Sequence, residues 1–337
     1  MTRNTVEPWG GVTGIGSLPH ADPVAAVAFV AQYSSELPFW PQLPNYAPEE
    51  YMLLQMLTPL LDLVTQQSPA QINVEPGQLA TLCQRLRSAE AIFAPRTAVG
   101  FYTFERACRD GLFPQARMLK GQISGPLTIA RCLFAHGQSL FHSLDFMAGL
   151  TDYLCRLVTW QIERLQRFGK PVMIFVDEPV LALEPVDSPV MPFLRQVIQT
   201  IRANGAMAGI HCCAIGSPSS LLAAAPDILS FDAHHGLDAF LHDPHMPAFV
   251  NAGGWLAFGL VPTLADLHNL APEDSFARWV GTAVAANYDL DRLAAQSLVT
   301  TTCGLGLLSV ETAQQAFLHS QALTHKLRQQ EGIVHGS

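Results

Sequence analysis

The sequence predicts a parallel (βα)8 barrel, the TIM-barrel class of α/β fold, forming a single domain over residues 1–337, and three observations carry that prediction. Eight short apolar runs recur along the chain, each followed by a stretch with helical spacing of its apolar residues; such alternation builds a parallel sheet with helices outside it, and eight repeats predict closure. The clearest run, Val172-Met173-Ile174-Phe175-Val176, is continuously apolar and rich in β-branched residues, as a strand buried on both faces requires. No GxGxxG follows any of the runs, which speaks against the doubly wound open sheet that alternation could also build.

Taken in order, Val12 to Gly16 is a short β-like run, and Asp22-Pro23 opens a helix to about Ser34, with Asp as N-cap and Pro in the first turn. Leu37 to Leu43 is a second extended run whose prolines predict an irregular strand. Pro48 begins a helix to about Thr65. Residues 66–115 form a helical excursion between strands two and three, with helices around 78–93 and 103–110 and no convincing strand. Ala116 to Ile123 is the third strand, a long helix runs from about Leu140 to Gly169, and Val172 to Val176 is the fourth strand. Strands at 206–212, 228–232, 255–261 and 298–302 then alternate with helices around 188–203, 217–225, 237–250 and 275–286. A last helix spans Val310 to Gln329, and about 331–337 is expected as a flexible tail.

Composition bounds the function. The chain is 49% hydrophobic and 14% charged, with a net charge of −9 and a pI near 5.7. No Lys/Arg cluster offers a surface for nucleic acid or an anionic membrane. MTRNTVEPWGG has no apolar core of a secretory leader, and no run of about 18 apolar residues could span a bilayer, so a cytoplasmic protein is expected. Seven irregularly spaced cysteines do not make a disulfide framework. Cys83, Cys108, Cys132 and Cys155 lie in helical patterns without a His or acidic partner at ligand spacing, and read as packing residues.

In such a barrel the chemistry sits at the C-terminal ends of the strands. The polar residues there are Ser17, His20, Gln42, Gln122, Ser124, Asp177, Glu178, His211, Cys213, Asp232, Thr263 and Cys303. Alternation along a strand puts His211 and Cys213 on one face and sends Cys212 to the helix layer. The same parity aims Asp232 and Cys303 at the mouth, and His, Cys and carboxylate are all zinc ligands by type. An isolated H-x-C pair is equally at home as a buried imidazole beside a packing thiol. Asp177 shares strand parity with Met173 and Phe175 and so faces inward, where it can hold a substrate ammonium or move a proton; Glu178 is as well suited to capping the next helix.

Five motifs in order, Gly16-Ser17-Leu18-Pro19, Gly121 to Thr128 (GQISGPLT), Val176-Asp177-Glu178-Pro179, His211-Cys212-Cys213 and Cys303-Gly304-Leu305, resemble those of the catalytic barrel of cobalamin-independent methionine synthase and its relatives in the uroporphyrinogen decarboxylase superfamily. The resemblance implies zinc bound by His211, Cys213 and Cys303, with Asp232 where the family has Glu. It implies Asp177 as the acid that holds the substrate amine, Glu50 as a second one, and Gly16 and Ser17 as contacts to the substrate carboxylate. The reaction implied is methyl transfer to a thiol, homocysteine giving methionine, from a methylcorrinoid such as methylcobalamin or from methyltetrahydrofolate. The sequence lacks the family's second barrel, the His after strand seven and the Trp that stacks on folate. These departures point toward the short relatives that take methyl from a corrinoid, free or on a corrinoid protein. Transfer to coenzyme M or another thiol, and a non-catalytic module that binds corrinoid or thiol, are the alternatives.

Overall fold

The computed structural model describes residues 7–214, 216–263, 267 and 270–329; the tail expected at 331–337 lies outside them. In chain order the elements are β1 (Gly11–Val12), α1 (Pro23–Tyr33), α2 (Met52–Met56), β2 (Val64–Ser68), β3 (Gln71–Val74), α3 (Leu79–Ser88), α4 (Val99–Arg109), β4 (Leu119–Ser124), α5 (Pro126–Cys132), β5 (Leu133–Ala135), β6 (Gln138–Ser139), α6 (Leu144–Gln166), β7 (Val172–Asp177), α7 (Met191–Ala203), β8 (Met207–Cys212), α8 (Pro218–Ala223), β9 (Ile228–Phe231), α9 (Ala233–Leu241), α10 (Met246–Asn251), β10 (Trp255–Val261), α11 (Pro272–Ala285), α12 (Leu290–Ala295), β11 (Ser297–Thr301) and α13 (Val310–Gln329). Among the described residues no helix is long and apolar enough to cross a membrane.

Seven strands form one curled sheet in the order β1-β11-β10-β9-β8-β7-β4, every pairing parallel. Strands β4, β7 and β10 are buried at every position; for β7 and β10 this is the consequence of near-continuous apolar runs covered on both faces, whereas β4 buries Lys120, Gln122 and Ser124 as well. The expected second strand, 37–43, has no regular ladder but touches both edges of the sheet. Lys120 N–H donates to Pro38 O at 2.9 Å on the β4 side, while Leu18 N–H donates to Gln42 O at 2.9 Å and Gln42 N–H to Gly16 O at 3.0 Å on the β1 side. Prolines at 38, 41 and 44 carry no N–H, so only isolated bridges form.

Apolar side chains divide into two cores by strand parity. Met173, Phe175, Ile228, Ala257 and Leu298 fill the concave side of the sheet, whereas Ile174, Val176, Ile210 and Cys212 pack into the layer beneath the helices. Asp177 thus follows Met173 and Phe175 inward, as parity predicts.

Two expectations are corrected. The excursion at 66–115 is not purely helical: β2 and β3 form an antiparallel hairpin, joined by β5 and β6 into a second, four-stranded sheet. Apart from Val64, Ile72 and Val74, the hairpin residues are mostly polar and exposed or half-buried, so the hydrophobic pattern carries little strand signal. The helix expected from Pro48 to Thr65 breaks into two 3-10 turns, Pro48–Glu50 and Thr58–Leu63, around the short α2, and gives way to β2 at Val64.

Candidate metal centre

His211 is the penultimate residue of β8 and Cys213 follows one residue past the strand, while Cys303 lies two residues beyond β11. The curl of the sheet brings these distant positions together: one His nitrogen and the two sulfurs lie within 4.8 Å of one another. The orientation of the imidazole is set from the neighbouring strand, where Ser230 Oγ lies 2.9 Å from His211 Nδ1. Nε2 is buried and has no regular hydrogen-bond partner, a costly state for a polar atom. A free imidazole nitrogen beside two thiols is a donor set suited to zinc or another ion that favours nitrogen and sulfur. Cys212 points away, its thiol directed at Pro179 O and Ala214 O.

The two thiols are not equivalent. The hydrogen bond from Cys213 and the nearness of His211 hold the Cys303 thiol well below its usual range, and the same contact, with burial, pushes Cys213 up. If Ser230 fixes the ligating tautomer of His211, Ser230→Ala should weaken metal binding by about 10- to 100-fold with the fold intact, as loss of such an orienting partner does elsewhere. Competition with a chromophoric chelator measures this, and an unchanged affinity would remove Ser230 from the site.

Asp232, expected where the family has its Glu ligand, stands outside this group of three donors. It is the N-cap of α9; its carboxylate accepts from His235 N–H at 3.0 Å and pairs with His235 Nδ1 at 2.8 Å. The side chain is spent on the start of its own helix, the ordinary use of Asp at that position.

The remaining expected residues border the same space. A cavity of about 240 Å³ is lined by Ser17, Glu50, Asp177, His211, Cys213 and Cys303, together with Tyr51, Met52, Gly304 and Leu307. Gly16 lies at its edge, where a Cβ would come within 2.7 Å of Gln42 Oε1. Ser17 docks the two ends of the site: its Oγ accepts from Gly306 N–H at 3.2 Å and its carbonyl from Leu305 N–H at 2.9 Å. A side chain at 304 would collide with that hydroxyl, its Cβ 2.2 Å away, so Gly304 is required by close approach.

Two buried acids face this cavity, and no Lys or Arg lines it among the described residues. Burial pushes the Asp177 carboxyl up, opposed by His211 and Lys120, and its Oδ1 has no partner. Glu50 accepts from the backbone N–H groups of Val99 and Leu43 and from Gln55 Nε2, yet burial still raises it to about 7. A carboxyl raised on folding stabilises the fold fully below its ordinary value of 4.5, and this contribution is lost as pH rises through about 7. Glu50→Gln should therefore flatten the fall in thermal midpoint between about pH 5 and about pH 8. Parallel melting curves for mutant and wild type would refute this source of pH dependence.

Glu178, by contrast, is structural. It accepts from the N–H groups of Leu127 and Thr128 at 2.8 Å each and from Thr128 Oγ1 at 2.6 Å, filling the N-terminus of α5. The motif reading overlooked Lys120, a fully buried lysine on β4, although its place between Met118 and Gln122 in the inward parity was a legible signal.

No protein-family model matches the chain, and no curated protein matches it in sequence. Among solved structures, it is similar to a methyltransferase from Methanosarcina mazei at 14% identity, over 93% of each chain, with a TM-score of 0.50. It is also similar to a B12-independent methionine synthase from Shewanella sp. W3-18-1, solved in complex with selenomethionine, at 15% identity over 67% of this chain and 68% of that one, with a TM-score of 0.48. At such identities the likeness to the first of these is one of fold.

Proposed function

We propose that the protein is a zinc-dependent methyltransferase that methylates the sulfur of homocysteine to give methionine, on an eight-stranded barrel closed by residues 37–43. The observation that carries this reading is the cluster of His211, Cys213 and Cys303 opening onto the same cavity as Asp177 and Glu50. Held by those three side chains, zinc would supply Lewis-acid stabilisation of a bound thiolate, the nucleophilic form of a group whose ordinary pKa is roughly 8.5. The fourth position is left to substrate rather than to Asp232, as befits a catalytic rather than a structural site.

The protein's own groups supply binding and orientation. The Asp177 carboxylate, with a buried unpartnered oxygen, receives the substrate ammonium, and Glu50 places a second acid beside it. The Ser17 hydroxyl accepts from Gly306 and keeps its hydrogen to donate to the substrate carboxylate, next to the Gly16 backbone. Two acids without a lining Lys or Arg favour an amino-acid thiol, which brings an ammonium for them to hold, over coenzyme M, which has none. The methyl donor in this reading is a methylcorrinoid, free or carried by a corrinoid protein.

The test is the zinc content of the purified protein, followed by transfer assays with methylcobalamin and methyltetrahydrofolate as donors and homocysteine and coenzyme M as acceptors. Methionine formed from methylcobalamin supports the proposal. Zinc-loaded protein that transfers methyl to coenzyme M alone, or that binds corrinoid without transfer, would replace it with one of the alternatives.

A further inference from the structure

Lys120 is the one Lys or Arg among the described residues that is fully buried, and the metal cluster makes no use of it. Its ammonium lies on the concave side of the sheet, 4.6 Å from the ring centroid of Phe175 and 5.9 Å from that of Phe39. It donates to Ile15 O at 2.5 Å and to Gln122 Oε1 at 3.1 Å. Gln122 Nε2 in turn donates to Trp40 O at 2.9 Å, and Trp40 Nε1 to Gln161 Oε1 at 2.9 Å. One charged group thereby ties β4 to the end of the β1 segment and, through Gln122, to residues 37–43. This is the part of the sheet where the ladder is reduced to isolated bridges.

A buried ammonium is costly unless it is compensated, and a methionine of similar volume would fill the space without that cost. The compensation here is directional. Ile15 O is the carbonyl directly before Gly16 and Ser17, and Ser17 holds the loop that follows Cys303 through Leu305 N–H and Gly306 N–H. Asp177 adds charge attraction across the interior.

We propose that Lys120 is a positioning residue: by anchoring Ile15 O it holds the Gly16–Ser17 edge of the cavity against the Gly304–Gly306 loop, and so sets the place where the substrate carboxylate docks. The anchoring stands on the contacts alone; the docking role rests on the function proposed above. Lys120→Met and Lys120→Gln, prepared as the full chain, separate the two. Amide hydrogen exchange should speed up by about tenfold or more in peptides covering 13–20 and 303–308, and stay unchanged over β9 and β10. Zinc content should be retained, with KM for homocysteine raised by about tenfold and kcat within about threefold of wild type.

Exchange that rises evenly over the whole chain, exchange unchanged at 13–20, or failure of both variants to fold would each overturn the proposal, since a local anchor has none of these signatures. An unchanged KM alongside the local exchange change would overturn its docking role. Absence of any methyl transfer by the wild-type protein would instead count against the functional reading, with the exchange pattern still deciding the anchor.

Discussion

Cys303→Ser and Cys213→Ser should each abolish bound zinc and thiol methylation together, while Cys212→Ser keeps both. The hydroxyl of serine does not ionise near neutral pH and is a far weaker zinc ligand than thiolate, so a three-donor site reduced to one nitrogen and one sulfur loses its hold on the ion. Lewis-acid stabilisation is worth several kcal/mol, so methyl transfer should fall by about three orders of magnitude. The exchange is nearly isosteric, and both cysteines are only partly buried, so the fold should survive. Metal analysis by mass spectrometry beside a transfer assay checks this. Full zinc in either mutant would show that the cluster is not the metal site. Cys212 is the internal control, adjacent in sequence but turned toward Pro179.

Asp177→Asn should lower kcat/KM for homocysteine by about 10²-fold and leave zinc in place. The change keeps size and shape but removes the charge from a buried oxygen that has no partner in the protein. A substrate ammonium entering there would lose its counter-charge, a loss of about 3 kcal/mol for a buried charged hydrogen bond. A thiol of the same length without the amine should be methylated equally by mutant and wild type, which separates a binding role from a general defect. Undiminished turnover of homocysteine would exclude Asp177 as the amine site and reopen the choice of acceptor.

The legibility of the site in the sequence varied with the kind of signal. Parity along β7 and β8 was enough to send Asp177 and His211 inward and Cys212 outward, because a buried parallel strand leaves each side chain only two directions. Ser17 was in view as a polar residue at a strand end, whereas Glu50 entered only through the family resemblance. The hairpin β2–β3 was not legible, since its polar, solvent-facing residues leave little of the apolar pattern from which strands are read. Asp232 was ambiguous for a definable reason. A carboxylate at a strand end is also at a helix start, and sequence does not say whether it turns into the mouth or back onto its own helix, where His235 engages it. Lys120 was passed over because an isolated lysine in a strand carries no motif.

By itself, the sequence determined the alternation of strands and helices along the main sheet, the inward residues of β7 and β8 and the donor types available to a metal, since these follow from local periodicity and side-chain chemistry, whereas Cys303, with the parity of Val299 rather than of the inward Leu298, reaches the site only past the end of its strand. Only the tertiary structure decided which of those donors meet. The distance between His211 and Cys303 depends on the curl of the sheet and on the Ser17 hydroxyl resting where Gly304 has no side chain, and those are contacts between segments far apart in the chain. The same is true of Lys120, whose charge is tolerated only because Ile15 and two aromatic rings from other segments, with Gln122 of its own strand, close around it.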